Sequence, residues 1–213
     1  MAKLTATSYT ILGWLALQPW STYELAKQIQ RNLRFFWPRA ESQIYEEPRN
    51  LVKLGLATAE QTHVGKRPRT VYRITPAGRQ ALAAWIEEPS DAPMLWFDGL
   101  VRLFFGNFGS TDGLLAALDT ARARADEIQQ AGATVAGEYL SGSAPFPERI
   151  HCSGIVFDFL WNFAELLRDW ADRSADEISH WEDTEHEGKE ARALALFSAA
   201  LATKRIAPVA ENS

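Results

Sequence analysis

Cysteine and long apolar runs are almost absent from this sequence of 213 residues, and each absence excludes a class of protein. The one cysteine, Cys152, cannot form an intramolecular disulfide, so we expect a reducing compartment and predict that this residue lies in the core. No stretch reaches the roughly 18 apolar residues of a membrane-spanning helix. The segment Met1 to Leu4 has no basic-then-apolar signal pattern. We therefore expect a cytoplasmic protein without a membrane partner.

The usual signatures of catalysis are missing as well. The sequence has no glycine loop that would hold a phosphate, no nucleophile elbow and no histidine pair at metal-binding helical spacing. One C-terminal cluster has metal-binding residue types, but its spacing matches no standard site, which favours a solvated helix end. That cluster is His180, Glu182, Asp183, Glu185 and His186. We therefore expect that the protein is not an enzyme and that it binds no metal and no cofactor.

Charge is divided unevenly along the chain. Residues 1–90 contain 12 Lys/Arg and 7 Asp/Glu, whereas residues 91–213 contain 10 Lys/Arg and 20 Asp/Glu. The net charges of +5 and −10 favour a polyanionic partner for the first part only. A chance distribution is the alternative, and charge alone does not separate the two. The two prolines and three acidic residues of Glu87–Pro93 mark the boundary, so we predict domains at 1–90 and 91–213.

The first domain shows the pattern helix, helix, helix, strand, turn, strand, helix. A capping box, Ser21-Thr22-Tyr23-Glu24, opens the second helix, and the third runs from about Arg39 to Leu54. Two β-prone segments, Leu56–Gln61 and Thr70–Thr75, enclose a turn with three cations. This order predicts a winged helix-turn-helix with a two-stranded wing.

Such a domain places the start of its third helix in the major groove and its wing on the phosphates. Ser42 and Gln43 could bond base edges, and Arg39 could bond guanine or phosphate. The helix N-terminus at Thr22 and Tyr23 suits phosphate contacts. The predicted DNA-contacting residues are Thr22, Tyr23, Arg39, Ser42, Gln43, Tyr45, Arg49, Lys66, Arg67 and Arg69.

Each assignment has a structural alternative. Tyr45 could equally be a core aromatic at the helix junction, and Ser42 and Gln43 could be solvated surface. The wing cations could form an exposed hairpin tip that is polar for solubility. Three cations within four residues, on a turn after three helices, favour the wing.

The second domain is predicted to be entirely helical, with segments at Leu95–Phe108, from Ser110 or Thr111 to Leu140, after Pro147, and at Glu190–Lys204. Apolar positions alternate by three and four, which is the spacing of a coiled-coil seam. The helix after Pro147 is apolar over so much of its girth that a second subunit is the natural cover, with a self-contained bundle as the alternative. The predicted dimerisation residues are Leu114, Leu118, Val156, Leu160, Phe163, Leu167 and Trp170. The expected fold class is mainly α, a winged helix-turn-helix followed by an all-helical dimerisation domain.

Several motifs of the first domain resemble the PadR family of transcriptional regulators. They are Tyr9–Gly13, Ser21–Leu25, Ser42-Gln43-Ile44-Tyr45, Gly55-Leu56 and Arg69–Gly78. The resemblance implies a homodimer that binds an inverted repeat in double-stranded DNA, usually as a repressor. It also implies release of DNA when a small ligand, often aromatic, binds.

The sequence departs from the family pattern within the third helix. The family has a proline directly after the tyrosine and a leucine two residues further on, where this chain has Glu46 and Pro48. A proline inside a helix removes one hydrogen bond and can kink it. We therefore expect the helix to begin late, near Pro48, or to bend there. Glu46 and Glu47 also place negative charge near DNA, which is unfavourable without a partner such as Arg39 or Arg49.

Eight tryptophans leave room for an effector pocket. Aromatic clusters usually fill cores, but some line pockets for flat apolar ligands. We predict such a pocket at Trp96 and Phe97, near the hinge between the domains.

For the whole protein, the alternative is a winged-helix protein-interaction module without sequence-specific DNA binding, which the acidic second half would fit.

Overall fold

The computed structural model describes residues 4–37, 41–65, 67–185 and 187–202, and the side chains of 41–43, 64 and 67 are outside this description. The chain divides into two compact units, Met1–Met94 and Leu95–Ser213. Across the described ranges, none of the helices is long and apolar enough to cross a membrane.

The first unit is a winged helix-turn-helix. Its elements are α1 (Ala6–Leu17), β1 (Trp20–Ser21), α2 (Thr22–Leu33), α3 (Glu41–Lys53), β2 (Ala57–Val64), β3 (Arg67–Ile74) and α4 (Pro76–Glu87). The strands form an antiparallel sheet in the order β1-β3-β2. The predicted order of elements is confirmed. The sequence did not predict β1, which pairs only Trp20 with Tyr72 and Ser21 with Val71.

Side-chain caps fix where the helices begin. Ser21 accepts from the backbone of Glu24 and Glu24 bonds back to the Ser21 amide, so the predicted capping box of α2 is confirmed. Thr75 caps α4 by accepting from the Gly78 amide, with Pro76 in the first turn. These bonds satisfy backbone amides that have no partner within a helix.

Fully buried apolar side chains form the core of the first unit. Its fully buried members come from α1, α2 and α3, and burial of each large side chain contributes about 1.5–3 kcal/mol. They are Ile11, Leu12, Leu15, Leu25, Ile44 and Leu51. A stack of the Tyr9 and Trp85 rings, with centroids 4.8 Å apart, packs α4 on α1.

Pro48 lies within α3 and does not start it. The helix begins at Glu41, well before Pro48, so a late start is wrong, and the alternative of a bend at Pro48 stays a prediction. Pro48 is fully buried and lies one turn from Ile44 and nearly one turn from Leu51 on the inner face of the helix. Burial of the apolar ring offsets the hydrogen bond that proline removes.

The wing is longer and its turn tighter than predicted. Ladder pairs extend to His63 with Pro68 and to Val64 with Arg67, so the predicted turn over residues 63–69 is mostly strand. Gly65 follows Val64 in the turn with a φ of 62°, and Lys66 lies outside the described residues. A two-residue hairpin needs positive φ, which glycine adopts without steric cost.

The second unit is built on a pair of long helices. Its elements are α5 (Asp98–Phe104), α6 (Thr111–Leu140), α7 (Ile150–Ser179) and α8 (Glu190–Ala202). Cross-helix bonds join Arg122 to Asp172 and Tyr139 to Ser153, which shows that α6 and α7 run antiparallel. The segment predicted as one helix over Leu95–Phe108 is instead α5 followed by a 3-10 turn at Gly106–Phe108.

The α6–α7 pair buries several residues that the sequence assigned to a dimer contact. Leu114 and Leu118 lie in a cluster with alanines of α7 and with Ile178, and Leu167 and Trp170 pack against it. A three-four seam serves an intrachain helix pair as well as an intermolecular one, so the assignment of these four residues to a dimer contact stays a prediction. Leu160 and Phe163 are half-buried, and Val156 is exposed. Cys152 is also exposed, so its predicted place in the core is wrong.

Candidate nucleic-acid interface

The outer face of α3 carries the candidate base-contacting residues. Ile44, Pro48 and Leu51 face the core, and the exposed positions 45, 46, 49 and 50 face outward. Tyr45 is 42% exposed and Arg49 is exposed one turn further on, which rules out the core alternative for Tyr45. Ser42 and Gln43 belong to the first turn of α3, but their side chains lie outside the described part of the structure, as does all of Arg39.

Glu47 is directed toward α1 and away from this outer face. The Ser8 hydroxyl donates to Glu47 Oε1 over 2.5 Å, and the Asn50 amide donates to Glu47 Oε2 over 3.2 Å. The sequence alone did not show this contact, because Ser8 and Glu47 are 39 positions apart. Of the two carboxylates expected near DNA, only Glu46 remains exposed on the helix.

The N-terminus of α2 lies beside the wing. Tyr23 is 69% exposed in the first turn, and Thr22 is half-buried. A helix N-terminus presents amide groups and partial positive charge, which suit a phosphate. The assignment of Thr22 and Tyr23 to phosphate contacts stays a prediction.

Glu24 connects α2 to the wing through one oxygen. Its Oε2 accepts from the Ser21 amide and the Ser21 hydroxyl, each over 2.9 Å, and from Arg69 Nη2 over 2.5 Å. Arg69 Nε is buried without a hydrogen-bond partner among the described residues. This contact of the Arg69 guanidinium holds β3 against α2. The assignment of Arg69 to a DNA phosphate stays a prediction.

The same contacts set the acidity of Glu24. Burial acts to raise the pKa of its carboxyl group and is the largest single influence. Hydrogen bonds from Ser21 and the charge of Arg69 together outweigh burial, so the pKa lies below its ordinary value of 4.5. Glu24 is therefore ionised at neutral pH and forms an ion pair with Arg69.

The two remaining predicted wing cations are Lys66 and Arg67. Arg67 opens β3 directly after the turn, but its side chain, like all of Lys66, falls outside the described residues. Their assignment to DNA phosphates stays a prediction.

The predicted effector residues do not form a common pocket. Trp96 is 91% exposed. Phe97 packs edge-on against Trp170 of α7, with ring centroids 5.8 Å apart. Trp96 therefore has little contact with its surroundings, while Phe97 is partly buried and packs against the apolar cluster of the second unit.

Sequence comparison relates the first unit to known regulators. Residues 11–84 match the model of the Transcriptional regulator PadR-like family. A probable transcriptional regulator of Mycobacterium tuberculosis is 38% identical over 89 residues, which cover 39% of this chain and 45% of the relative. The negative transcriptional regulator PadR of Bacillus subtilis is 34% identical over 79 residues, covering 37% and 43%. The match thus spans less than half the length of each curated relative.

Structural comparison extends over both units. Bacillus subtilis PadR in complex with operator DNA has a TM-score of 0.67 at 22% identity, covering 83% of this chain and 99% of that one. The same protein in complex with p-coumaric acid has a TM-score of 0.62 at 20% identity, covering 84% and 100%. At this identity the likeness is one of fold.

Proposed function

We propose, from the premise that residues 11–84 form a PadR-like transcriptional regulator domain, that this chain is a homodimeric, ligand-responsive repressor acting on an inverted-repeat operator. The observation that carries the proposal is the outward face of α3, where Tyr45 and Arg49 are exposed, in a domain that also has the β2–β3 wing. Such a regulator would act in the cytoplasm, where the DNA of its bacterial relatives lies. The domain is that of a regulator and not of an enzyme.

In the proposed complex, α3 enters the major groove. Gln43 and Ser42 would bond base edges, while Tyr45 and Arg49 follow on the same exposed face. Lys66 and Arg67 would contact phosphates at the wing tip, as would Arg39 ahead of α3 and Thr22 with Tyr23 at the start of α2. We assign Arg69 a supporting part, in which it positions the wing through Glu24.

Dimerisation is proposed through an exposed apolar strip of α7. Ile155, Phe159 and Leu166 fall within about 40° of one another around the helix axis. They are 74%, 64% and 63% exposed, and Val156 lies beside them. We call Ile155, Val156, Phe159 and Leu166 the α7 strip. A contiguous apolar patch of this kind marks an interaction site, and a two-fold dimer would match a palindromic operator.

The proposals of repression and of an effector response are based on the relatives of this chain. One curated relative is named a negative transcriptional regulator, and the same protein has been solved with p-coumaric acid. We propose that a small aromatic effector likewise lowers the operator affinity of this chain.

Fluorescence anisotropy with DNA from the promoter nearest the protein's own gene, at two salt concentrations, tests the proposal. Alanine at Lys66 or Arg67 should weaken binding to all sequences and make its salt dependence shallower by about one phosphate contact. Gln43→Ala should instead change the preferred sequence, with single base discrimination falling by about 1–3 kcal/mol.

Two outcomes would count against this picture. If Gln43→Ala weakens all sequences equally, as the wing variants do, the groove assignment of α3 is wrong. A folded dimer that binds neither this promoter nor random duplex DNA at low salt would favour a protein-interaction module. The exposed carboxylate of Glu46 on α3 would suit that alternative.

A further inference from the structure

A cavity of about 510 Å³ opens within the second unit and is lined by residues of that unit alone. Its lining comes from α5 and the following turn, from α7 and from α8, with Leu114 of α6 at its base. Ligand pockets of roughly 300–1,000 Å³ hold drug-sized molecules. The volume is therefore suited to a ligand with more than one ring.

The wall of the cavity is largely aromatic. Phe104, Trp170 and Trp181 all line it, and the two tryptophans are half-buried. Their faces are apolar surface at which a flat ring can replace water, and aromatic contacts contribute beyond the area buried. This part of the lining selects for planar apolar ligands.

The charged part of the lining has a surplus of one positive charge. Arg192 Nε lies 3.8 Å from Glu177 Oε2, so this cation has a partner within the cavity. Arg173 also lines the cavity and makes no hydrogen bond or ion pair with any described residue. This local surplus occurs in a part of the chain, residues 91–213, whose net charge is −10. An open guanidinium beside an apolar wall is suited to a carboxylate, which it can bond in bidentate geometry.

We infer that this cavity is the effector site and that its ligand is a multi-ring aromatic monoanion, with the ring system on the tryptophans and the carboxylate on Arg173. The effector role rests on the proposed regulatory function, whereas the binding itself does not. Trp170 also contacts Phe97, which directly precedes the first residue of α5. A ligand that moves Trp170 would therefore also move Phe97 at the beginning of the second unit. Phe97 would take part in the response, although it does not line the cavity.

Isothermal titration calorimetry of the full-length protein with 2-naphthoate, its neutral analogue 2-naphthalenemethanol, and benzoate tests the inference. The wild type should bind 2-naphthoate at least tenfold more tightly than either comparison compound. Arg173→Gln should bind the acid and the alcohol equally, and Arg173→Lys should keep the preference for the acid. Arg149→Gln removes an exposed cation that does not line the cavity, so it should behave as wild type.

Absence of 2-naphthoate binding, equal binding of acid and alcohol, or a full acid preference in Arg173→Gln would each overturn the inference. Operator affinity is measured on the same preparations without ligand. Normal DNA binding with no 2-naphthoate binding rejects the cavity and leaves the regulator intact. Ligand binding with no DNA binding rejects the regulator and leaves the cavity assignment standing.

Discussion

At the scale of single residues, the absence of a side chain at Gly78 allows α4 to pack closely against Leu56 and Ile74. A Cβ atom built on Gly78 would lie 2.2 Å from the Leu56 carbonyl oxygen and 2.8 Å from Cγ1 of Ile74. The first of these is a backbone atom, which cannot move aside as a flexible side chain would. The close approach of α4 to the turn before β2 therefore requires glycine.

Gly78→Ala is accordingly expected to lower the free energy of unfolding by at least about 2 kcal/mol, because the backbone must shift to relieve the overlap. Urea denaturation followed by circular dichroism measures the change. Gly13→Ala is the matched control, since nothing lies within 4 Å of a Cβ at that position of α1. It should gain about 0.5–1 kcal/mol from helix propensity. Equal midpoints for the two variants would show that the crowding around Gly78 has no energetic consequence.

Local residue patterns were predictable from the sequence, whereas distant side-chain pairings were not. The capping box of Ser21 and Glu24 is a four-residue signal, and the structure confirms it. The bonds from Ser8 to Glu47 and from Arg69 to Glu24 join positions 39 and 45 apart. A polar residue carries no mark of its distant partner, so neither the bond between Ser8 and Glu47 nor the bond between Arg69 and Glu24 could be predicted.

At the scale of elements, the junction of α2 with the wing depends on the charge of Glu24. Its folded-state pKa is lowered, so the stabilisation is present above the unfolded pKa near 4.5 and is lost as pH falls through the folded pKa. Glu24→Gln keeps an acceptor for Ser21 but removes the charge. The variant should be less stable than wild type at pH 7, and the difference should shrink as the pH is lowered below about 4.5.

Urea titrations at pH 7 and pH 3.5 measure that difference. Glu60→Gln serves as the control, because Glu60 pairs with Arg73 over 3.4 Å on the exposed side of the hairpin. Exposed ion pairs contribute little, so this variant should unfold like wild type at both pH values. A gap between Glu24→Gln and wild type that is the same at both pH values would exclude an electrostatic role for Glu24.

The order of the elements followed from the sequence, but some of their ends and partners did not. Apolar periodicity and caps located every helix of the first unit. The strands of the wing are longer than the sequence predicts. Pro68 and its neighbouring cations are typical of a turn, yet Pro68 pairs with His63 in the ladder. The spacing of Leu114 and Leu118 indicated a helix seam correctly, but the same spacing serves an intrachain and an intermolecular partner.

At the scale of the whole molecule, the proposed dimer predicts that a charge placed on the α7 strip separates the two chains. Phe159→Glu would place a carboxylate on this apolar strip, where burial without a partner is costly. Light scattering should give about twice the chain mass of 23.8 kDa for wild type and a single chain mass for the variant. Phe159 is exposed in the single chain, so the variant should keep its helical circular dichroism.

Gly154→Glu provides the matched control on the same helix. It introduces the same carboxylate where nothing lies within 4 Å, about 100° around the axis from Ile155. This variant should remain a dimer. If Phe159→Glu stays dimeric while Gly154→Glu dissociates, the interface lies on another face of α7.

Pro48 removes a hydrogen bond from the part of α3 that would meet DNA, and this affects the entropy of DNA binding. Because proline supplies no amide hydrogen, the Ile44 carbonyl lacks its helical partner, and the turn over residues 41–44 is joined to the rest of α3 by fewer bonds. Hydrogen isotope exchange should be faster at the amides of residues 45–47 than at those of residues 49–53. Contact with an operator would order this turn and slow its exchange, so association would carry an unfavourable entropy confined to a few residues at the tip of one helix.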